Sequence, residues 1–314
     1  MELRQRSNHN SLDVNDNPEE QKRLYYFHEL DEWQQDNHYI LSGYVKETSS
    51  YLNCLKSLTY IHNETGNIYS HFVPSVLVAV FVGNFVGWEM EKYNNDLRYW
   101  EKLNFTQFGF AATFCLALSA LFHLFKCHSP SVCKFGNQCD YLGIIIMITC
   151  SLISIMLFAF YDIPNWRNFY VSLFLALGGI CTIVTFNKKF STPQYRPFRS
   201  LMFILFGLSG VLPVLTAVSI FGVESASERS KAGWLIAEGF FYIFGASLYA
   251  MRIPERFSHK ESDNRLLENP VSGKFDLFGH SHQIFHVMVV IAAFCHWKAL
   301  VGCFEYLHTH TLKP

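Results

Sequence analysis

The sequence is short of charge. Only 16% of its 314 residues are Asp, Glu, Lys or Arg, against roughly 25% in a typical soluble domain. An ordinary water-bathed globule is therefore a poor match. The charges that are present nearly cancel, leaving −1 at pH 7, which excludes the basic surface that nucleic-acid recognition needs. None of the nine cysteines forms a CxxC pair. Most lie in apolar runs or connecting loops, and they are expected to be reduced and structural. No apolar stretch follows MELRQRSNHN, so no secretory signal is expected there and the first apolar run must itself direct insertion. Internal repeats and low-complexity tracts are also missing.

What remains is apolar. Half of the residues are hydrophobic and 30 are Phe. Runs close to the length of about 20 residues that spans a bilayer are predicted at 72–90, 108–126, 140–160, 166–187, 198–221, 232–252 and 280–304. The expected fold is an all-α integral membrane protein, a bundle of seven transmembrane helices. Residues 1–50 are expected to be a polar cytosolic tail, 51–71 an interfacial helix and mouth motif, 72–304 the membrane domain and 305–314 a short outer tail. In YLNCLKSLTYI, Leu52, Leu55, Leu58 and Thr59 share one helical face with Lys56 off it, the pattern of a helix lying on a membrane. A polar, lid-like segment is expected at 253–278. Gly178, Gly179 and Pro213 suit tight helix contacts and a kink.

Orientation follows from Lys and Arg. With the N-terminus inside, the inner segments hold 17 of the 25 basic residues, with Lys188, Lys189, Arg196 and Arg199 close to the spans. The N-terminus is therefore expected in the cytosol and the C-terminus outside.

That topology brings polar groups from distant segments to one face. Ser119 and His123 end the second run, Asp140 begins the third, and His282 and His286 begin the seventh. Ionisable groups in apolar spans are costly and are functional candidates by default. His282 and His286 stand at i and i+4, the spacing by which a helix chelates zinc. His123 would complete a three-histidine set that leaves a fourth position for water. Asp140 would hold that water or act as general base, and Ser119 would hold Asp140 or polarise a bound carbonyl. His280 and His296 are left out, because one points elsewhere and the other lies three turns further on. His128 reads as a loop residue. Glu64, Asn67 and His71 in HNETGNIYSH form one helical stripe that could line the mouth or brace helix contacts. Asn63 matches a glycosylation acceptor that a cytosolic location would leave unused.

The stretches HNETGNIYSH, SALFHLFKCHS, CDYLGI and FDLFGHSHQIFHVMVV resemble the progestin and adipoQ receptor family, which includes adiponectin receptors and haemolysin-III-like proteins. The likeness runs from about residue 30 to about 304 and is greatest to the fungal branch linked to zinc and sterol homeostasis. It implies that His123, His282 and His286 are zinc ligands, that Asp140 orients the zinc-bound water and that Ser119 is its partner. It also implies inverted seven-helix topology and a cavity that admits lipid.

Three functions follow as expectations. The first is receptor-like regulation of zinc and sterol or lipid homeostasis, with an extracellular protein as a candidate ligand. The second is zinc-dependent, ceramidase-like amide hydrolysis of a sphingolipid, whose product could be the signal. A zinc transporter fits least, since its ligands would be spaced through the bilayer. The sequence does not choose between plasma membrane and endoplasmic reticulum, and it leaves the oligomeric state open.

Overall fold

The computed structural model describes residues 24–90, 98–190, 192–258 and 273–311. Helices account for nearly all regular structure, and the described residues contain no β-strand beyond one isolated bridge between Tyr25 and Tyr44. In chain order the α-helices are α1 (Tyr51–Lys56), α2 (Thr65–Asn84), α3 (Tyr99–Phe125), α4 (Pro130–Ala159), α5 (Pro164–Phe186), α6 (Arg196–Leu208), α7 (Val211–Phe221), α8 (Val223–Ser230), α9 (Ala232–Met251) and α10 (Ser281–Tyr306). Seven stretches are long and apolar enough to cross a bilayer: Thr65–Trp88, Tyr99–Phe125, Pro130–Ala159, Pro164–Phe186, Phe198–Phe221, Ala232–Phe257 and Ser281–His310. They make this an integral multi-pass membrane protein. Large apolar side chains that a soluble protein would bury stand outward, among them Leu77, Val80, Phe81, Leu205, Ile236 and Phe240. That is the surface a lipid solvent requires.

Local sequence explains the helix boundaries. Pro130 and Pro164 sit in the first turns of α4 and α5, where a missing N–H costs nothing. Ser50 caps α1 by accepting from the Asn53 amide. Three spans begin earlier than expected. The first starts at Thr65 rather than 72, the second at Tyr99 rather than 108 and the third at Pro130 rather than 140. Their opening turns are polar, so an apolar window cannot register them. The fifth span, expected as one helix, is two, because the chain turns at Ser209 and Gly210 between α6 and α7. The short helix α8 was not expected. Most of the lid-like segment, 259–272, lies outside the described residues.

α10 is the central element, packing on α9, α2, α4 and α8, while α3 packs against α2 and α4. Two glycines allow close approaches near the candidate residues. A Cβ at Gly143 would lie 2.9 Å from the Cys115 Cα, and one at Gly66 would lie 2.4 Å from the Gln283 side chain. Both pairs therefore pack α4 on α3 and α2 on α10 at the depth of the candidate residues. Residues 24–50 are folded across that same end of the bundle. Leu30 and Ile40 are buried, and Tyr25 and Tyr44 exchange backbone hydrogen bonds at 2.9 and 3.1 Å.

Candidate metal centre

His123 comes from the last turn of α3, and His282 and His286 come from the first two turns of α10. Their ligand atoms all lie within 4.8 Å of one another. The ring centroids form a near-equilateral triangle with sides of 4.8, 4.9 and 4.8 Å, and the planes are close to perpendicular. The described residues contain no other such group of metal-ligating side chains. Nitrogens 2.0–2.1 Å from one tetrahedral ion stand about 3.3 Å apart, so modest ring rotations would complete the set.

The hydrogen bonding of the rings passes a stricter test. His123 uses Nδ1 on the Glu64 carboxylate at 2.8 Å, while its buried Nε2 has no hydrogen-bond partner. His286 directs Nδ1 at the Asn67 carbonyl and the Ser70 hydroxyl, both at 3.1 Å. A metal-bound histidine engages its second nitrogen in this way, and that bond fixes the tautomer and ring orientation. The orphaned Nε2 and the all-imidazole donor set fit a borderline divalent ion.

Asp140 faces the triangle from α4, where the Ser119 hydroxyl and His123 are its polar neighbours. The tight α3–α4 contact between Gly143 and Cys115 lies about one turn from Asp140 on α4 and one turn from Ser119 on α3. Asp140 thus lies about ten residues inside α4, roughly 15 Å from the start of that helix, rather than at its first turn as expected.

A second layer surrounds the three imidazoles. Glu64 accepts from His123, from Lys126 Nζ at 2.8 Å and from Asn67 Nδ2 at 2.5 Å. Burial pushes the Glu64 carboxyl up, but Lys126 and His123 outweigh it and hold it well below the usual carboxylate range. Burial opposes the Lys126 charge in the same way, and Glu64 more than restores it. His71 stacks flat on His286, with centroids 3.7 Å apart. Tyr249 of α9 sets its ring against His282. The buried carboxylate of Glu255 accepts from the Ser281 amide at 2.7 Å and from Asn37 at 3.2 Å, which pins the start of α10 to the N-terminal segment. Asp276 does the same through the Ser42 hydroxyl at 2.7 Å and the Leu41 amide at 3.2 Å.

The excluded histidines are engaged elsewhere. His280 precedes α10 and reaches the Asn63 carbonyl at 3.2 Å. His128 faces Ser129 at 3.0 Å. His296 lies between Glu238 at 2.9 Å and Ser154 at 3.1 Å, ten residues and roughly 15 Å along α10 from His286. Sequence reasoning missed that buried Glu238–His296–Ser154 cluster. It also did not connect Glu255 or Asp276 to the site. For Glu64 the signal existed in the HNETGNIYSH stripe, without its partner.

A family model described as haemolysin-III related matches residues 59–297. The chain is 39% identical over 288 residues to the ADIPOR-like receptor IZH1 of Eremothecium gossypii, covering 92% of this chain and 87% of that protein. It is 37% identical over 287 residues to the ADIPOR-like receptor IZH2 of Saccharomyces cerevisiae, covering 91% and 86%. It is 34% identical over 278 residues to the adiponectin receptor protein of Drosophila melanogaster, covering 88% of this chain and 59% of that longer one.

Proposed function

The chain belongs to the haemolysin-III-related, adiponectin-receptor-like family of membrane proteins, and from that premise we propose that it is a zinc-binding, receptor-like regulator of zinc and lipid homeostasis. The observation that carries the zinc assignment is the orphaned, buried Nε2 of His123 facing two further imidazoles. The receptor role rests on the names of the relatives. An extracellular protein ligand and a sphingolipid or sterol partner belong to the same proposal, as does the inverted topology that the basic residues favour.

Asp140 and Ser119 favour a second reading within the first, zinc-dependent hydrolysis of a lipid amide such as ceramide. A bound zinc ion would supply Lewis acidity and a water of lowered pKa. In this reading Asp140 takes a proton from a nucleophile beside the imidazoles and returns it to the leaving amine. The Ser119 hydroxyl keeps that carboxylate oriented, and Glu64 keeps His123 in register. Lipid access is supported by the side on which α9 packs: it lies against α10 and α8 and, among the described residues, makes little contact with α6 or α7.

The test combines metal analysis with turnover on the same purified samples. Wild type should hold about one zinc per chain, and His282→Ala should hold almost none. Asp140→Asn should retain the metal and lose roughly 10²–10⁴-fold in ceramide turnover. Wild type free of zinc would sink the metal assignment. Turnover persisting in His282→Ala after chelation would sink the hydrolase reading and leave the receptor reading standing.

A further inference from the structure

Among the described residues, two free thiols from distant parts of the chain face each other outside the membrane spans. Cys54 Sγ on α1 lies 3.6 Å from Cys127 Sγ, two residues beyond the end of α3. Backbone contacts hold the two elements together. The Thr48 amide donates to the Cys127 carbonyl at 2.9 Å and the Ser49 amide to the His128 carbonyl at 2.9 Å. The Tyr51 ring packs on Phe125 and His128. The Thr48 hydroxyl lies 3.3 Å from Cys54 Sγ. Cys54 is buried and Cys127 half-buried, so a small solute approaches the pair from the Cys127 side. A bond of about 2.0 Å would require these sulfurs to close from 3.6 Å, between segments that backbone hydrogen bonds already hold together.

We propose that Cys54 and Cys127 form a redox-active dithiol that a hydroperoxide converts to a disulfide, fastening α1 and the segment before it to the turn between α3 and α4. The pair is chemically primed. A hydrogen bond from Cys127, opposed by burial, lowers the Cys54 thiol below its ordinary value, which favours ionisation at this sulfur rather than at Cys127. The thiolate is the form that attacks. It displaces hydroxide from the peroxide: an S–O bond forms, the O–O bond breaks, and the hydroxide takes a proton to leave as water. The second sulfur, deprotonated, attacks the sulfenic sulfur. The S–S bond forms, the S–O bond breaks, and the departing hydroxide takes the remaining thiol proton. Two thiols lose two electrons, and one peroxide becomes two waters.

The experiment uses the full chain purified in detergent under reducing conditions. It is desalted, exposed to hydrogen peroxide, blocked with N-ethylmaleimide, digested and read by mass spectrometry. A Cys54 peptide joined to a Cys127 peptide, lighter than their sum by two hydrogens, should form ~10-fold faster than any other cysteine is modified. It should disappear with dithiothreitol, and its rate should fall as the pH is lowered, because the thiolate is the attacking form. Linkage of either sulfur to a different cysteine would overturn the proposal. So would peroxide that consumes other thiols while leaving both of these open to alkylation. The readout is a covalent bond, so it stands or falls independently of zinc, receptor or hydrolase function.

Discussion

Replacing Glu64 by Gln preserves the shape of the side chain but removes the charge between His123 and Lys126. An amide also turns an N–H either toward Lys126 or toward His123 and Asn67, so at least one donor contact becomes repulsive. Zinc affinity should fall about 10–100-fold while the helical circular-dichroism spectrum is unchanged, as read by titration against a competing chelator. Unaltered affinity would mean that Glu64 braces helices and nothing more. This residue also marks where the sequence stops being readable. His123, His282 and His286 could be placed at one depth because each ends or begins an apolar run, and a coarse span count suffices for that. Glu64 was legible as part of the polar HNETGNIYSH stripe, but its contact with His123 needs the exact start of α2 at Thr65, which the polar first turns hide. Cys54 and Cys127 are harder still. Their meeting depends on how a non-helical segment crosses the bundle end, and no periodicity encodes that path.

At the scale of elements, the α3–α4 contact is a point where stability and the site are coupled. Gly143→Ala sets a methyl 2.9 Å from the Cys115 backbone, which no side-chain rotation relieves. Overpacking of this kind typically costs about 1–3 kcal/mol, and the helices must separate beside Asp140 and Ser119. A lowered thermal midpoint together with reduced turnover is the expected result, while an unchanged midpoint would show that the pair yields without strain. The seven spans themselves were legible, because lipid selects for apolar length and little else. The break between α6 and α7 was not, since Ser209 and Gly210 fall inside a run that stays apolar on both sides. The Glu238–His296–Ser154 cluster escaped for a related reason: its members come from α9, α10 and α4, and only tertiary packing brings them together.

For the whole molecule, seven crossings place the chain termini on opposite faces, and the basic residues favour the N-terminal one in the cytosol. Epitope tags test this directly. In intact cells a C-terminal tag should be accessible to antibody, and an N-terminal tag only after permeabilisation. The reverse pattern would move the three histidines to the outer leaflet and end the case for a cytosolic metal centre.

The donors that residues 37, 41 and 42 send to Glu255 and Asp276 bear on how variants of this molecule should be designed. Both carboxylates are buried at the approach to α10. A chimera spliced at the first hydrophobic stretch, exchanging the seven crossings alone, would inherit these acids stripped of part of their solvation shell. Loss of function in such a hybrid would report a misfit at the seam before it reported anything about signalling specificity, so the splice belongs upstream of residue 24.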